Sequence, residues 1–106
     1  MYKEIEIDGR NVEFTANAAT PFRFKQVFRK DLLTILGSGG DEGESIEAVM
    51  QLAFIMAKQA EKTDMNKLNE EMFITWLEGF SPMAFIDKAE DILSVYTGST
   101  LGTSTP

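Results

Sequence analysis

The segment "SIEAVMQLAFIMAKQAEK", residues 45–62, constrains the fold more than any other stretch. Read at 100° per residue, it places Ile46, Val49, Met50, Ala53, Met56, Ala57 and Ala60 on one side. Leu52 and Phe54 widen the apolar arc to about half the circumference. A helix that apolar must be enclosed by other elements, so the rest of the chain is expected to wrap around it. Ile55 stands apart, among Glu47, Gln51, Lys58 and Lys62 on the polar side.

The elements available for wrapping can be read on either side. In "KEIEIDGRNVEFTA", residues 3–16, Ile5 and Ile7 alternate with charge before Asp8-Gly9, and Val12 and Phe14 do so after it. Period-two alternation around a pair that tolerates positive φ predicts a β-hairpin. A two-residue loop pairs Ile5 with Val12, whereas a four-residue loop pairs Ile7 with Val12. Both put the apolar set on one face, and that face must pack on helices because an isolated hairpin is marginal in water.

Thr20-Pro21 predicts a helix start, with Thr capping and Pro at the first position. The helix is expected to run over 21–36 to Gly37, with Phe24, Val27, Phe28, Leu32 and Ile35 as its stripe and Arg23, Lys25, Arg29 and Lys30 to the sides and back. "GSGGDEGE", 37–44, reads as an acidic loop. "NEEMFITWLEGF" predicts a further helix joining Met72, Phe73, Trp76, Leu77 and Phe80. Ser81-Pro82 repeats the cap-plus-proline start for a last helix over 82–96, burying Phe85, Ile86, Ala89, Ile92, Leu93 and Tyr96. The expected architecture is α+β and mainly α, an N-terminal hairpin packed on about four helices. Residues 1–97 form one domain, and 98–106, "GSTLGTSTP", form a tail with little to bury.

Chemistry is limited by what is missing. The 106 residues contain no Cys and no His, which removes thiolate nucleophiles, imidazole dyads and Cys/His zinc sites. The glycine-rich loop lacks the Lys-Ser/Thr ending of a phosphate loop and the ligand order of an EF-hand. Glu44/Glu47 and Asp87/Glu90/Asp91 fall on solvated faces, where nothing separates carboxylate pKa values for acid/base work. No catalytic residue, cofactor or metal is expected. Asp31 falls within the stripe of Phe24, Phe28 and Ile35, so it is predicted to be a buried structural acid with a basic or helix-N-terminal partner.

The net charge is −7, with residues 1–40 at +1 and residues 41–106 at −8. Such a field opposes phosphate backbones and anionic lipid, so neither nucleic acid nor membrane is expected as a partner. A second reading keeps nucleic acid: a small prophage-encoded DNA-binding regulator using the basic side of the 21–36 helix. No apolar run approaches the length of a membrane span, and "MYKEIEIDG" lacks the pattern of a signal peptide, which predicts a cytoplasmic protein.

Three segments together, "IDGRNVEFTANAATPFRFKQVFRKDLL", "IEAVMQLAFIMAKQAEK" and "WLEGFSPMAFIDKAEDILSVY", resemble the tail assembly chaperones of long-tailed phages and prophages of Gram-positive bacteria. The likeness lies in their order along nearly the whole chain, with "AATP…F…F.KDL" and "MAKQA" as its most distinctive parts. The resemblance implies a non-enzymatic protein of the host cytoplasm, absent from the mature virion. Several self-associating copies would coat the tape measure protein before the tail tube protein polymerises around it. It also implies a longer second product made by translational frameshifting. Such a carrier needs apolar surface to spare; the residues off their helices' core faces are Phe22, Leu33, Ile55, Ile74, Met83 and Val95. Of these, Phe22, Leu33, Ile55 and Ile74 are the expected partner contacts.

Overall fold

The computed structural model describes residues 1–32 and 42–98, with the backbone alone for residues 42–45. The fold is α+β and mainly α, an N-terminal antiparallel hairpin followed by four α-helices among the described residues. Strand β1 (Tyr2–Ile7) pairs with β2 (Arg10–Thr15) through the two-residue loop, so that Ile5 faces Val12 and Ile7 faces Arg10. Asp8 and Gly9 both take positive φ, 56° and 81°. That turn geometry matches the natural twist of the strands. Ile5, Ile7 and Phe14 are buried on the inner face, while Tyr2, Glu4, Glu6, Asn11 and Glu13 are exposed on the other.

Helix α1 (Thr20–Phe28) has Pro in its first turn and buries Thr20, Phe24, Val27 and Phe28. It ends earlier than its apolar stripe predicts. Arg29 adopts the left-handed conformation, φ 60°, and its N–H closes on the Lys25 carbonyl at 2.8 Å. Beyond Arg29 the helical phase no longer holds, so extrapolating the stripe to Asp31 fails. Leu32 turns into the core, and Asp31 faces solvent. The expectation of a buried acid at Asp31 is therefore corrected. Ile35, the predicted stop at Gly37 and the 98–106 tail beyond Gly98 lie outside the described residues.

Thr20 does not cap α1 either. It is fully buried, and its hydroxyl accepts the Asn17 N–H at 2.9 Å and donates to Gln59 Oε1 at 2.8 Å. Asn17 Oδ1 in turn accepts the Ala19 N–H at 2.9 Å and Gln59 Nε2–H at 3.3 Å. This closed network ties the turn before α1 to the last turns of helix α2 (Glu42–Glu61).

Helix α2 is the axis of the molecule. Every residue from Gln51 to Ala57 is buried, including Ile55 at 0% exposure. The stripe of Glu47, Gln51, Ile55, Lys58 and Lys62 is exposed at its ends and enclosed in the middle, because neighbouring elements surround the centre of α2 on all sides. Ile55 is thus a core residue, which corrects its assignment to the partner surface. Gln51 is carried inside with it, and its side-chain carbonyl has no hydrogen-bond partner among the described residues.

After the left-handed Lys62, a short 3-10 turn (Met65–Lys67) capped by Asp64 leads to helix α3 (Glu70–Leu77), where the Asn69 side chain accepts the Met72 N–H. Residues 82–88 are successive turns closed by i to i+3 backbone bonds, and helix α4 begins only at Ala89 and runs to Thr97. The predicted helix from Pro82 is shortened, and Ser81 binds the hairpin turn. Its N–H and hydroxyl both donate to the Asp8 carboxylate, at 2.6 and 3.0 Å. Arg10 completes this clasp by donating to the Gly79 carbonyl at 2.8 Å and lying 4.2 Å over the Phe80 ring.

The core is a file of aromatic rings with aliphatic side chains packed around it. Phe24 meets Phe28, Phe28 meets Phe73, Phe73 meets Phe54, and Phe54 meets Trp76, with centroids 5.1 to 5.6 Å apart. Trp76, Phe80 and Phe85 close a triangle at 5.0 to 5.5 Å, which extends the file from α1 to the tip of the hairpin. Tilted and edge-on pairs of this kind add about 0.5–1.5 kcal/mol each beyond the area they bury. The phenylalanine side of α1 is thus part of the core.

Candidate partner surface

With the rings committed to the core, the surface is defined by the apolar side chains left over. Phe22 is 75% exposed on α1, Met83 60% in the turns after Pro82, and Ile74 49% on α3. Phe22 and Ile74 stand outside, as their helical phase predicts, and Met83 is exposed in the turns. Ile86, assigned to the core from sequence, is 45% exposed, and Val95, assigned to the surface, is buried. Both exchanges follow from the turns over 82–88: without helical phase there, the 82–96 stripe rotates, and α4 turns Val95 inward with Ile92. Leu33 lies outside the described residues.

Phe22 adjoins a hollow of about 210 Å³ lined by Pro21, Phe22, Lys25 and Asp31. Asp31 also lies near Tyr96 of α4. Burial, and after it the Asp31 charge, holds the Tyr96 phenol above its ordinary pKa. Asp31 thus combines an exposed position with an electrostatic contact between the end of α1 and α4.

The basic side of α1 is partly engaged by the protein itself. Arg23 donates to Gln26 at 3.0 Å, Gln26 donates to Asn66 at 3.1 Å, and Lys30 lies 3.7 Å from Glu47. Two basic groups, Arg23 on α1 and Lys30 just beyond its end, are therefore tied to neighbours. Among the described residues no cluster of three or more acidic side chains is arranged to hold a metal ion.

Two further hollows flank Trp76. One, of about 440 Å³, runs between β2 and the C-terminal end of α3, with Val12, Glu13, Glu61, Trp76 and Phe80 among its lining residues. The other, of about 260 Å³, lies between Lys58 and α3, with Met72 and Thr75. Sequence reasoning grouped Trp76 with Met72, Phe73, Leu77 and Phe80 and did not point to these hollows, because periodicity separates the faces of one helix without showing where two elements fail to meet. No described helix is long and apolar enough to cross a membrane. Comparison of the chain with protein-family models, with curated proteins and with solved structures finds no match.

Proposed function

We propose that this protein is a non-enzymatic phage tail assembly chaperone, which binds the tape measure protein in several copies and keeps it soluble while the tail tube forms around it. The observation that carries the reading is the pairing of a −7 charge with the exposed side chains of Phe22, Ile74 and Met83. Charge keeps a carrier and its cargo dispersed, and apolar positions spared from the core give that cargo somewhere to bind. The order of the three sequence segments supplies the family. With Ile55 inside the core and Leu33 outside the described residues, the contacts among the described residues are Phe22 and Ile74, with Met83 as a third exposed residue.

Co-expression with a long helical phage tape measure protein tests the reading. The long protein is expected to stay soluble and to elute with this one. Phe22→Asp and Ile74→Asp should weaken that complex while leaving helical circular dichroism intact, because a charge in an apolar contact is costly to desolvate. An insoluble long protein and no complex, with or without a frameshifted product, refutes the chaperone. A complex indifferent to both substitutions moves the contact elsewhere.

A further inference from the structure

The hairpin has an unpaired edge where the larger groove begins. Met1 and Ala16 exchange both backbone hydrogen bonds, Met1 N to Ala16 O at 2.7 Å and Ala16 N to Met1 O at 2.8 Å. Bonded and non-bonded pairs alternate along an antiparallel ladder. With the observed register, Glu4/Glu13 and Glu6/Asn11 are then non-bonded pairs. The N–H and C=O groups of Asn11 and Glu13 therefore point away from β1, and no described residue bonds to them. Asn11 and Glu13 form one wall of the 440 Å³ groove, with half-buried Val12 between them and the Trp76 and Phe80 rings beyond.

The charge around this edge is one-sided. The outer face of the hairpin carries exposed Glu4, Glu6 and Glu13 and no basic residue, and Glu4 lies directly opposite Glu13. Like charges in that position repel. Across the groove Glu61 is already held by Lys58 at 3.3 Å, and Arg10, at the tip, is bound to Gly79 and Phe80. A strand added beside β2 would place one residue opposite Glu13, where a cation relieves the repulsion. Its flanking residues would fall on the inner face beside Val12 and near Trp76, where apolar side chains fit. A second copy adding its own β2 antiparallel and centred on the same residue would set Glu13 against Glu13, so the edge is guarded against self-pairing.

We propose that the β2 edge and the Trp76–Phe80 groove form a strand-addition site for an extended segment of a partner protein in which basic and apolar residues alternate. Backbone bonding at Asn11 and Glu13 provides affinity, and the alternation sets register and face. The site is separate from Phe22 and Ile74 and does not depend on the chaperone reading.

Trp76 is the only tryptophan of the chain, so its fluorescence reports the groove directly. The probe is a short synthetic peptide of alternating lysine and valine, prepared in two forms of equal charge and composition, one N-methylated at every lysine and the other at every valine. For a strand added antiparallel to β2, the lysine opposite Glu13 must exchange backbone bonds with it, whereas the valine N–H groups point outward. The valine-methylated peptide is expected to bind and shift the Trp76 emission, and the lysine-methylated one to bind at least about tenfold more weakly. Glu13→Lys should weaken binding by about tenfold or more through like-charge juxtaposition. Glu90→Lys, with the same change of net charge on exposed α4, should leave binding nearly unchanged. Equal binding of the two methylated forms would reduce the effect to general charge attraction and overturn the proposal. It is also overturned if the valine-methylated form does not bind, or if the protein alone self-associates with a concentration-dependent shift of Trp76 emission, which would give the edge to a second copy.

Discussion

Thr20→Val tests whether the buried network before α1 is a polar anchor or a matter of packing. The substitution preserves shape and removes the hydroxyl. Two bonds go with it, the acceptance of the Asn17 N–H and the donation to Gln59 Oε1. A typical intramolecular hydrogen bond contributes about 0.5–1.5 kcal/mol net, and a buried group left without a partner costs about 1–3 kcal/mol. Asn17 is exposed enough for water to reach part of the network, and Gln59 is half-buried and retains its bond to Asn17. The expected loss is therefore about 2 kcal/mol. For a chain of this size that lowers the Tm by roughly 8–16 °C, at about 4–8 °C per kcal/mol. Thr20→Ser is the counterpart: it keeps the hydroxyl, deletes one methyl and should cost only about 1 kcal/mol. Urea denaturation of both variants, and of each combined with Gln59→Met, gives the coupling between the two side chains. A coupling near zero, or Thr20→Ser more damaging than Thr20→Val, would refute the anchoring role and leave the methyl group as the reason for Thr20.

Ile55→Ala should cost about 2–5 kcal/mol in urea unfolding, the range for deleting a buried aliphatic side chain, whereas Ile74→Ala should change stability by less than about 0.5 kcal/mol. Gln51→Leu should raise the Tm, because it replaces a buried carbonyl that has no partner among the described residues with an apolar group of similar size; a fall would mean that the glutamine is satisfied in solution. Both tyrosines, Tyr2 and Tyr96, should ionise above the ordinary value of 10.0 in an ultraviolet titration. For Tyr2 the causes are lost hydration and then Glu13 and Glu4; for Tyr96 they are burial and then Asp31. Because the folded protein holds these protons more tightly than the unfolded chain, their contribution to stability is complete below about pH 10 and is lost as pH rises through the folded values. Asp31→Asn should lower the Tyr96 value only in part, since burial is the larger cause. An unmoved Tyr96 titration in that variant would place Asp31 elsewhere.

What the sequence determined by itself was local. Asp8-Gly9 demands a turn with positive φ, and the alternation of Ile5, Ile7, Val12 and Phe14 demands one apolar face; neither needs a distant residue to be read. The apolar circumference of α2 likewise required enclosure before any neighbour was known. The tertiary structure decided the points at which a local pattern competes with a distant partner. Arg29 carries no glycine or proline signal, yet it stops α1 in the left-handed conformation. That stop alone moves Asp31 from the predicted core to the surface. Ser81 resembles a helix cap until the hairpin turn brings Asp8 to it across the fold. Ile55 and Gln51 follow the polar stripe of their own helix and are buried because other elements close over the middle of α2. Periodicity describes one element against an undefined outside, and which side of an element is outside depends on where all the others come to rest.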